Sequence, residues 1–239
     1  MIYNTPKLSI LDRTKYVWIS DFVYGGIDGS VTTFAVVAGV QGAQLSTAII
    51  LILGFANLFA DGFSMAIGKY SSDKAELERI KKIKRLEYES IKGKPAEERQ
   101  EIKDILAGSG FSGDCLDCAT KVITKDKKIW VDMMMKYEFN VADETIYPVK
   151  SSLTTFFAFN IIGIIPLLSY LFKPLLPFGD NSIFVLTIVF TLFALFIVGA
   201  VKSRFSDQKW WLSGLETLII GGVAASLAYL IGFLLKGLA

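Results

Sequence analysis

The hydrophobic and polar positions of this chain are segregated along its length. Four stretches contain no Asp, Glu, Lys or Arg, and they lie at 29–60, 151–172, 181–201 and 217–235. A helix needs about 20 apolar residues to cross the hydrocarbon core of a bilayer. Each of the last three stretches therefore fits one span, while polar residues at 41–46 divide the first into a hairpin of two spans.

The pattern predicts an all-α integral membrane protein with five transmembrane helices and one soluble insert. The predicted helices lie at 24–44, 47–69, 150–172, 181–202 and 213–235. The predicted parts are an N-terminal segment (1–23, with an interfacial helix at 8–22), helices 1 and 2 (24–70), the insert (71–146) and helices 3 to 5 (147–239). Pro166 should kink the third span, because proline cannot donate the helical hydrogen bond.

Charge is concentrated in the insert. Residues 71–146 carry 31 of the 48 charged side chains of the 239-residue chain. Helix-favouring residues predict that the second membrane helix continues to about residue 91 as a stalk, which Gly93 and Pro95 end. Two further helices are predicted at 95–107 and 127–139, so the insert is expected to be a three-helix unit.

Lysine and arginine in the short loops predict the orientation, since they are enriched on the cytoplasmic side. The bias is carried by residues of the N-terminal segment and of the fourth loop, namely Lys7, Arg13, Lys15, Lys202, Arg204 and Lys209. The opposite side has only Lys173 and Asp180. The N-terminus and the insert are therefore expected in the cytoplasm and the C-terminus on the other side. The membrane would be the cell membrane of a prokaryote or a vacuolar-type membrane of a eukaryote.

Composition excludes several functional classes. The chain has no histidine, which removes Ser-His-Asp catalysis and imidazole metal sites. A net charge of +2 argues against a nucleic-acid partner. Cys115 and Cys118 form half of a zinc site, which a homodimer could complete, or an incidental or redox-sensitive pair. Without a nucleophile and base pair, an enzyme is not expected.

Two acidic residues fall inside the predicted spans, where a charge is costly and usually lines a polar path. Asp28 and Asp61 lie at similar predicted depth, and Asn57, Asp61 and Met65 share one helix face. The functional interpretation is that these residues line a path by which a metal ion crosses the membrane. The alternative is that Asp28 caps a helix start and Asp61 extends its side chain to the interface.

The insert repeats this chemistry on its helices. Glu98 and Glu101 are three residues apart, and Met134 and Met135 precede Glu138 on nearly the same face. Carboxylate and thioether groups suit Fe²⁺ and Mn²⁺. The alternatives are a solvated acidic face and methionines that pack in a core. Small residues also crowd the first and last spans, which fits either a compact bundle or a dimer interface.

At this point the motifs resemble those of the vacuolar iron transporter family. The segments that carry the resemblance are DGSVTTF at 28–34, DGFSMAIGKY at 61–70, WVDMMMKYE at 130–138, IGIIPL at 162–167, GAVKSR at 199–204 and IGGVAA at 220–225. Their order and spacing cover the chain from about residue 20 to its end. The family commonly has a glutamate where this chain has Asn57, and Asp61 lies one turn further on.

The resemblance implies a dimeric five-helix protein that moves Fe²⁺, and often Mn²⁺, out of the cytosol in exchange for protons. It implies metal ligands on the first two spans and in the insert, at Asp28, Met65, Glu87, Glu98, Glu101, Met134, Met135 and Glu138. Asp61 is added as a pore ligand in place of the family glutamate. No cofactor is implied, since the metal is the transported substrate.

Two hypotheses follow. The leading one is a proton-coupled Fe²⁺ exporter in the form of a homodimer, whose insert collects the metal. The alternative is a membrane-anchored cytoplasmic metal sensor or buffer that does not transport.

Overall fold

The computed structural model describes residues 10–141, 146–177, 179–205 and 207–238, and these ranges contain helices and no strand. The helices are α1 (Ile10–Gly42), α2 (Thr47–Gly93), α3 (Pro95–Gly108), α4 (Gly113–Lys125), α5 (Lys127–Tyr137), α6 (Pro148–Gly163), α7 (Ile165–Leu171), α8 (Asp180–Lys202) and α9 (Trp210–Leu235). The chain divides into two compact units. One comprises Met1–Ser71 and Tyr147–Ala239, and the other comprises Ser72–Ile146.

The first unit has the helices of a multi-pass membrane protein. Four helices are long and apolar enough to span a bilayer, and α6 with α7 adds a fifth span if the bent pair is counted as one. The bend between them is 40°. Pro166 lies in the first turn of α7, where it has no N–H to continue the ladder of α6. This confirms the predicted kink.

The predicted helical hairpin is present in α1 and α2. Residues 43–46 form the turn, in which the Leu45 N–H donates to the carbonyl of Val40 over 3.2 Å. At its other end α1 begins at Ile10 and continues without a break into the span. The separate interfacial helix predicted at 8–22 is therefore, from Ile10 onward, the first part of α1, while residues 8 and 9 lie outside the described residues, as does Lys7.

Glycines allow α1 to pack closely against its neighbours. A Cβ on Gly25 would lie 2.6 Å from the carbonyl oxygen of Thr155 in α6, and one on Gly29 would overlap the Phe159 carbonyl. A Cβ on Gly232 of α9 would likewise overlap the carbonyl of Gly39. The small residues of the first span thus serve helix packing within one chain. A buried cluster joins α1, α2, α6, α7 and α8 through Val37, Val40, Ile50, Leu58, Phe159, Leu167, Tyr170 and Ile183.

The second unit has its own apolar core. Seven buried residues build it, namely Ile91, Ile102, Leu106, Trp130, Val131, Met134 and Met135. The helices predicted at 95–107 and 127–139 appear as α3 and α5. The structure adds α4, which the sequence analysis does not predict. Asp126 begins α5 by accepting hydrogen bonds from the N–H groups of Lys128 and Ile129.

Candidate functional site

The first candidate site lies in the membrane unit, between α1 and α2. Asp28 and Asp61 are each partly buried, and their carboxylates lie close enough to repel each other electrostatically. Met65, one turn after Asp61, is also partly buried. Asp28 lies eighteen residues after the start of α1, so the alternative that it caps a helix start is wrong. The structure thus brings the two intramembrane acids together.

Hydroxyl groups accompany these acids on α1. Thr32 donates to the backbone carbonyl of Asp28 over 2.8 Å. Ser30 and Thr33 are fully buried, and their hydroxyl groups have no hydrogen-bond partner within the described part of the chain. Burying a polar group without a partner costs free energy. These buried hydroxyl groups therefore indicate that polar contacts form in the interior of this unit. Ser64 is exposed.

Three polar residues near this site escaped the sequence analysis. Asp21 on α1 is buried and pairs with Lys69 on α2 over 3.3 Å. Asn160 on α6 approaches Gly62, next to Asp61, and its amide donates to the Phe156 carbonyl over 2.9 Å. The seven-residue spacing from Asp21 to Asp28, which places both on one face of a helix, is the signal that could have identified the first of these.

The second candidate site lies in the insert, where four glutamates interact. Glu87 is 6% exposed and Glu98 is 9% exposed, whereas Glu101 and Glu138 are exposed. Burial, followed by the charges of Glu138, Glu98 and Glu101, raises the pKa of Glu87 to about 7. One carboxylate oxygen of Glu87 is buried and has no hydrogen-bond partner among the described residues. Glu87 on α2, Glu98 and Glu101 on α3, and Glu138 just after α5 therefore act on one another as a group of carboxylates.

The other members of this cluster show the same effect. Burial raises the pKa of Glu98, and the charges of Glu101 and Glu97 add to it against the opposite effect of Lys94. Burial also raises the pKa of Glu138, with contributions from Glu101 and Glu98. No group of three or more Asp, Glu or Cys residues in the described ranges is arranged closely enough to hold a metal ion as it stands. The carboxylates interact through space without converging on one point.

The methionines of the predicted site lie in the core of the insert. Met134 is fully buried and Met135 is 6% exposed, and both pack with Ile102 and Trp130. Their position supports the packing role that the sequence left open, and the backbone carbonyl of Met134 accepts from the N–H of Glu138 over 2.9 Å. The thioethers thus lie near Glu138 in the sequence and are shielded from solvent.

Other residues of the acidic pattern lie in ordinary surface contacts. Glu97 pairs with Lys94 over 2.8 Å, and Asp104 accepts from Gln100 over 2.8 Å. Cys115 and Cys118 are exposed, free thiols on α4.

The fold and these sites define a multi-pass membrane protein with two groups of mutually repelling carboxylates, one in its spans and one in its insert. Charges of this kind inside spans are typical of proteins that move ions. The model of the VIT family matches residues 19–233, and the chain belongs to this family. The resemblance found in the sequence motifs is confirmed.

Individual relatives agree with this assignment. The chain is 34% identical over 214 residues to the vacuolar iron transporter of Centaurea cyanus, a match that covers 88% of this chain and 85% of the relative. It is 32% identical over 212 residues to vacuolar iron transporter 1 of Arabidopsis thaliana, covering 88% and 83%. The vacuolar iron transporter of Plasmodium berghei is 31% identical over 225 residues, covering 91% and 82%. These relatives are named as transporters and not as enzymes.

Proposed function

We propose that this protein transports Fe²⁺ out of the cytosol across its membrane in exchange for protons, with Mn²⁺ as an alternative substrate. The names of its relatives support iron transport. The observation that carries the proposal is the approach of Asp28 and Asp61 within apolar spans. A divalent cation that binds between two carboxylates in these apolar spans neutralises both charges and so removes their repulsion.

The donor set suits these metals. Asp28 and Asp61 supply hard carboxylate oxygens, while Met65 supplies a softer thioether one turn from Asp61. Carboxylate oxygen suits Mg²⁺, Ca²⁺ and Mn²⁺, and sulfur shifts the preference toward later transition metals. A mixed oxygen and sulfur path therefore favours Fe²⁺ or Mn²⁺ over Mg²⁺.

The insert is proposed to be the cytoplasmic domain that collects the metal. Glu87, Glu98, Glu101 and Glu138 repel one another, and an incoming cation relieves this repulsion. Met134 and Met135 would turn toward the metal after a local rearrangement of the core. Metal binding requires the deprotonated carboxylates and so releases protons.

The orientation and the assembly complete the proposal. Lys202, Arg204 and Lys209, in the loop between α8 and α9, support a cytoplasmic location for that loop, the N-terminus and the insert, with the C-terminus opposite. The homodimer is proposed from the family resemblance.

The outward face of α2, with Ile52, Phe59, Phe63 and Ile67 exposed, is apolar and available to lipid or to a second copy.

The test is transport in sealed proteoliposomes. The purified protein is reconstituted with a trapped metal-quenched dye and a trapped pH indicator, and Fe²⁺ or Mn²⁺ is added outside. We expect metal entry accompanied by opposite proton movement, loss of metal flux in Asp28→Asn, and reduced flux in Met65→Leu. Glu216→Gln is the matched control, because Glu216 is an exposed carboxylate of α9 paired with Lys202.

The outcomes separate the hypotheses. Full flux in Asp28→Asn contradicts the proposed path. If the wild-type protein binds metal without any flux, the transport hypothesis is wrong and the membrane-anchored sensor or buffer is supported. Metal flux without a proton signal removes the antiport and leaves the transport.

A further inference from the structure

The ion pair between Asp21 and Lys69 has an unusual environment. Its Oδ1 to Nζ distance is 3.3 Å, and the side chains are 8% and 29% exposed, respectively. The second oxygen of Asp21, Oδ2, is buried without a hydrogen-bond partner in the described part of the chain. A buried ion pair contributes little net stability, because desolvation of both charges offsets their attraction.

The pair joins the two helices that carry the intramembrane acids. Because α1 and α2 form a hairpin, they run antiparallel, with the turn at 43–46 at one end. Seven residues separate Asp21 from Asp28, and eight separate Asp61 from Lys69. At 1.5 Å per residue these separations are about 10 Å and about 12 Å. The ion pair thus links α1 and α2 about two turns of helix from Asp28 and from Asp61.

Packing adds further constraints on this register. Phe159 of α6 lies against Gly29 of α1, and its ring lies 3.2 Å from the place that a Cβ on Gly62 of α2 would take. The hairpin turn begins after Gly42, fourteen residues or about 21 Å beyond Asp28. The ion pair is about half as far from Asp28 as the turn is. It is thus a charged link between α1 and α2 that adds to the packing contacts near the two acids.

We propose that Asp21 and Lys69 are positioning residues that hold the register of α1 and α2 and thereby keep Asp28 and Asp61 facing each other. This inference rests on the proposed transport function. Neither residue contacts the metal. Their effect is transmitted by the axial position of two helices.

A neutral double variant separates positioning from folding. In Asp21→Asn and Lys69→Met singly, one buried group loses its partner, and we expect a lower melting temperature. In the double variant neither charge of this pair remains, so melting should return to within a few degrees of wild type. Transport of Mn²⁺ in proteoliposomes should nevertheless fall at least tenfold, since a 1 Å misplacement of interacting groups can cost about a hundredfold in rate.

The control is a second ion pair in the described part of the membrane unit. Lys202 and Glu216 lie 3.2 Å apart on α8 and α9, with side chains 39% and 48% exposed, and they do not link α1 to α2. The double variant Lys202→Met with Glu216→Gln should keep wild-type flux. Lys69→Arg, which retains the charge, should keep most of the flux as well. Wild-type flux in the folded Asp21→Asn, Lys69→Met variant overturns the proposal.

A second measurement does not depend on transport. Cysteines are placed at 28 and 61 in a Cys115→Ser, Cys118→Ser background, and a short bifunctional thiol reagent links them. The linking rate should fall when Asp21 and Lys69 are neutralised, and an unchanged rate contradicts the positioning role. If the wild-type protein shows no metal flux at all, the proposed function fails, while this linking experiment still decides the inference.

Discussion

Glu87 makes the metal-free insert sensitive to pH, and the substitution Glu87→Gln reveals by how much. The pKa of Glu87 in the native state is about 7, against an ordinary value of 4.5. A group whose native pKa is raised stabilises the fold most where it is neutral in both states. The stabilisation that Glu87 contributes is therefore fully present below about pH 4.5, and it is lost as the pH rises from there through 7.

The magnitude follows from the two pKa values. A tenfold difference in proton affinity is worth about 1.4 kcal/mol. The ionised Glu87 therefore costs the metal-free native state up to about 3 kcal/mol at pH 8. Gln has the same shape without the charge, so Glu87→Gln should raise the free energy of unfolding by up to that amount at pH 8. At pH 4 the two proteins should be equally stable.

The assay uses the buried Trp130 as a reporter of the insert. Trp130 is 3% exposed and belongs to the core of this unit. The three other tryptophans are replaced by phenylalanine, at Trp18, Trp210 and Trp211. Urea unfolding of the full chain in detergent is then followed by fluorescence between pH 4 and pH 8. Glu89→Gln, an exposed neighbour on α2, is the matched control and should leave the unfolding curve unchanged.

Two results would refute the reasoning. If Glu87→Gln gives no gain at pH 8, the charge of Glu87 is not costly in the native state. If the gain is equal at pH 4 and pH 8, it comes from packing and not from ionisation. Addition of Mn²⁺ at pH 8 should stabilise the wild-type insert and not the variant, because the variant lacks the carboxylate that the metal requires.

Two further substitutions test packing against ligation. Gly29→Ala should destabilise the membrane unit, since the new Cβ would overlap the Phe159 carbonyl. Gly68→Ala should be neutral or slightly stabilising, because no atom lies within 4 Å of the new Cβ. The melting temperatures of the two variants in detergent are compared, and equal effects would contradict the close helix contact. Met134→Leu should keep the stability of the insert because it conserves volume, while Met134→Ala should cost about 2–5 kcal/mol. If Met134→Leu also weakens Mn²⁺ binding measured by calorimetry, the thioether is a ligand, and if binding is unchanged its role is packing.

Much of the fold was predictable because charge is excluded from spans. The length of each charge-free stretch predicted the membrane helices, and Pro166 predicted the bend of 40° between α6 and α7. The end of α2 at Gly93 and the start of α3 at Pro95 follow from helix propensity in the same way. These are local rules, which act over one or two turns of helix.

Helix α4 was missed because its sequence has weak local signals. Gly113 begins the helix, and Cys, Thr, Val and Ile, which are poor helix formers, occupy much of it. Packing against α3 and α5 compensates for this propensity. Tertiary contacts of this kind are invisible in a window of sequence.

In the candidate sites, too, features set by local sequence were predictable and features set by tertiary packing were not. The pairing of Asp28 with Asp61 was expected from their depth, since two helices of one hairpin bring equal depths together. The link between Asp21 and Lys69 was not expected, because it joins residues 48 positions apart and depends on which faces of two helices meet. Whether Glu87 is buried and Glu101 exposed depends likewise on how α2, α3 and α5 pack.

The repulsion between Asp28 and Asp61 also bears on proton coupling. Two carboxylates close together in an apolar span form a high-energy state when both are ionised and empty. In the proposed exchange, a proton that binds to this pair when the metal leaves would remove that state, and the next metal would displace the proton. The proposed exchange would then require no separate proton-carrying glutamate. On this argument Asn57, which stands where the family resemblance expects a glutamate, is compatible with coupled transport as long as Asp61 faces Asp28.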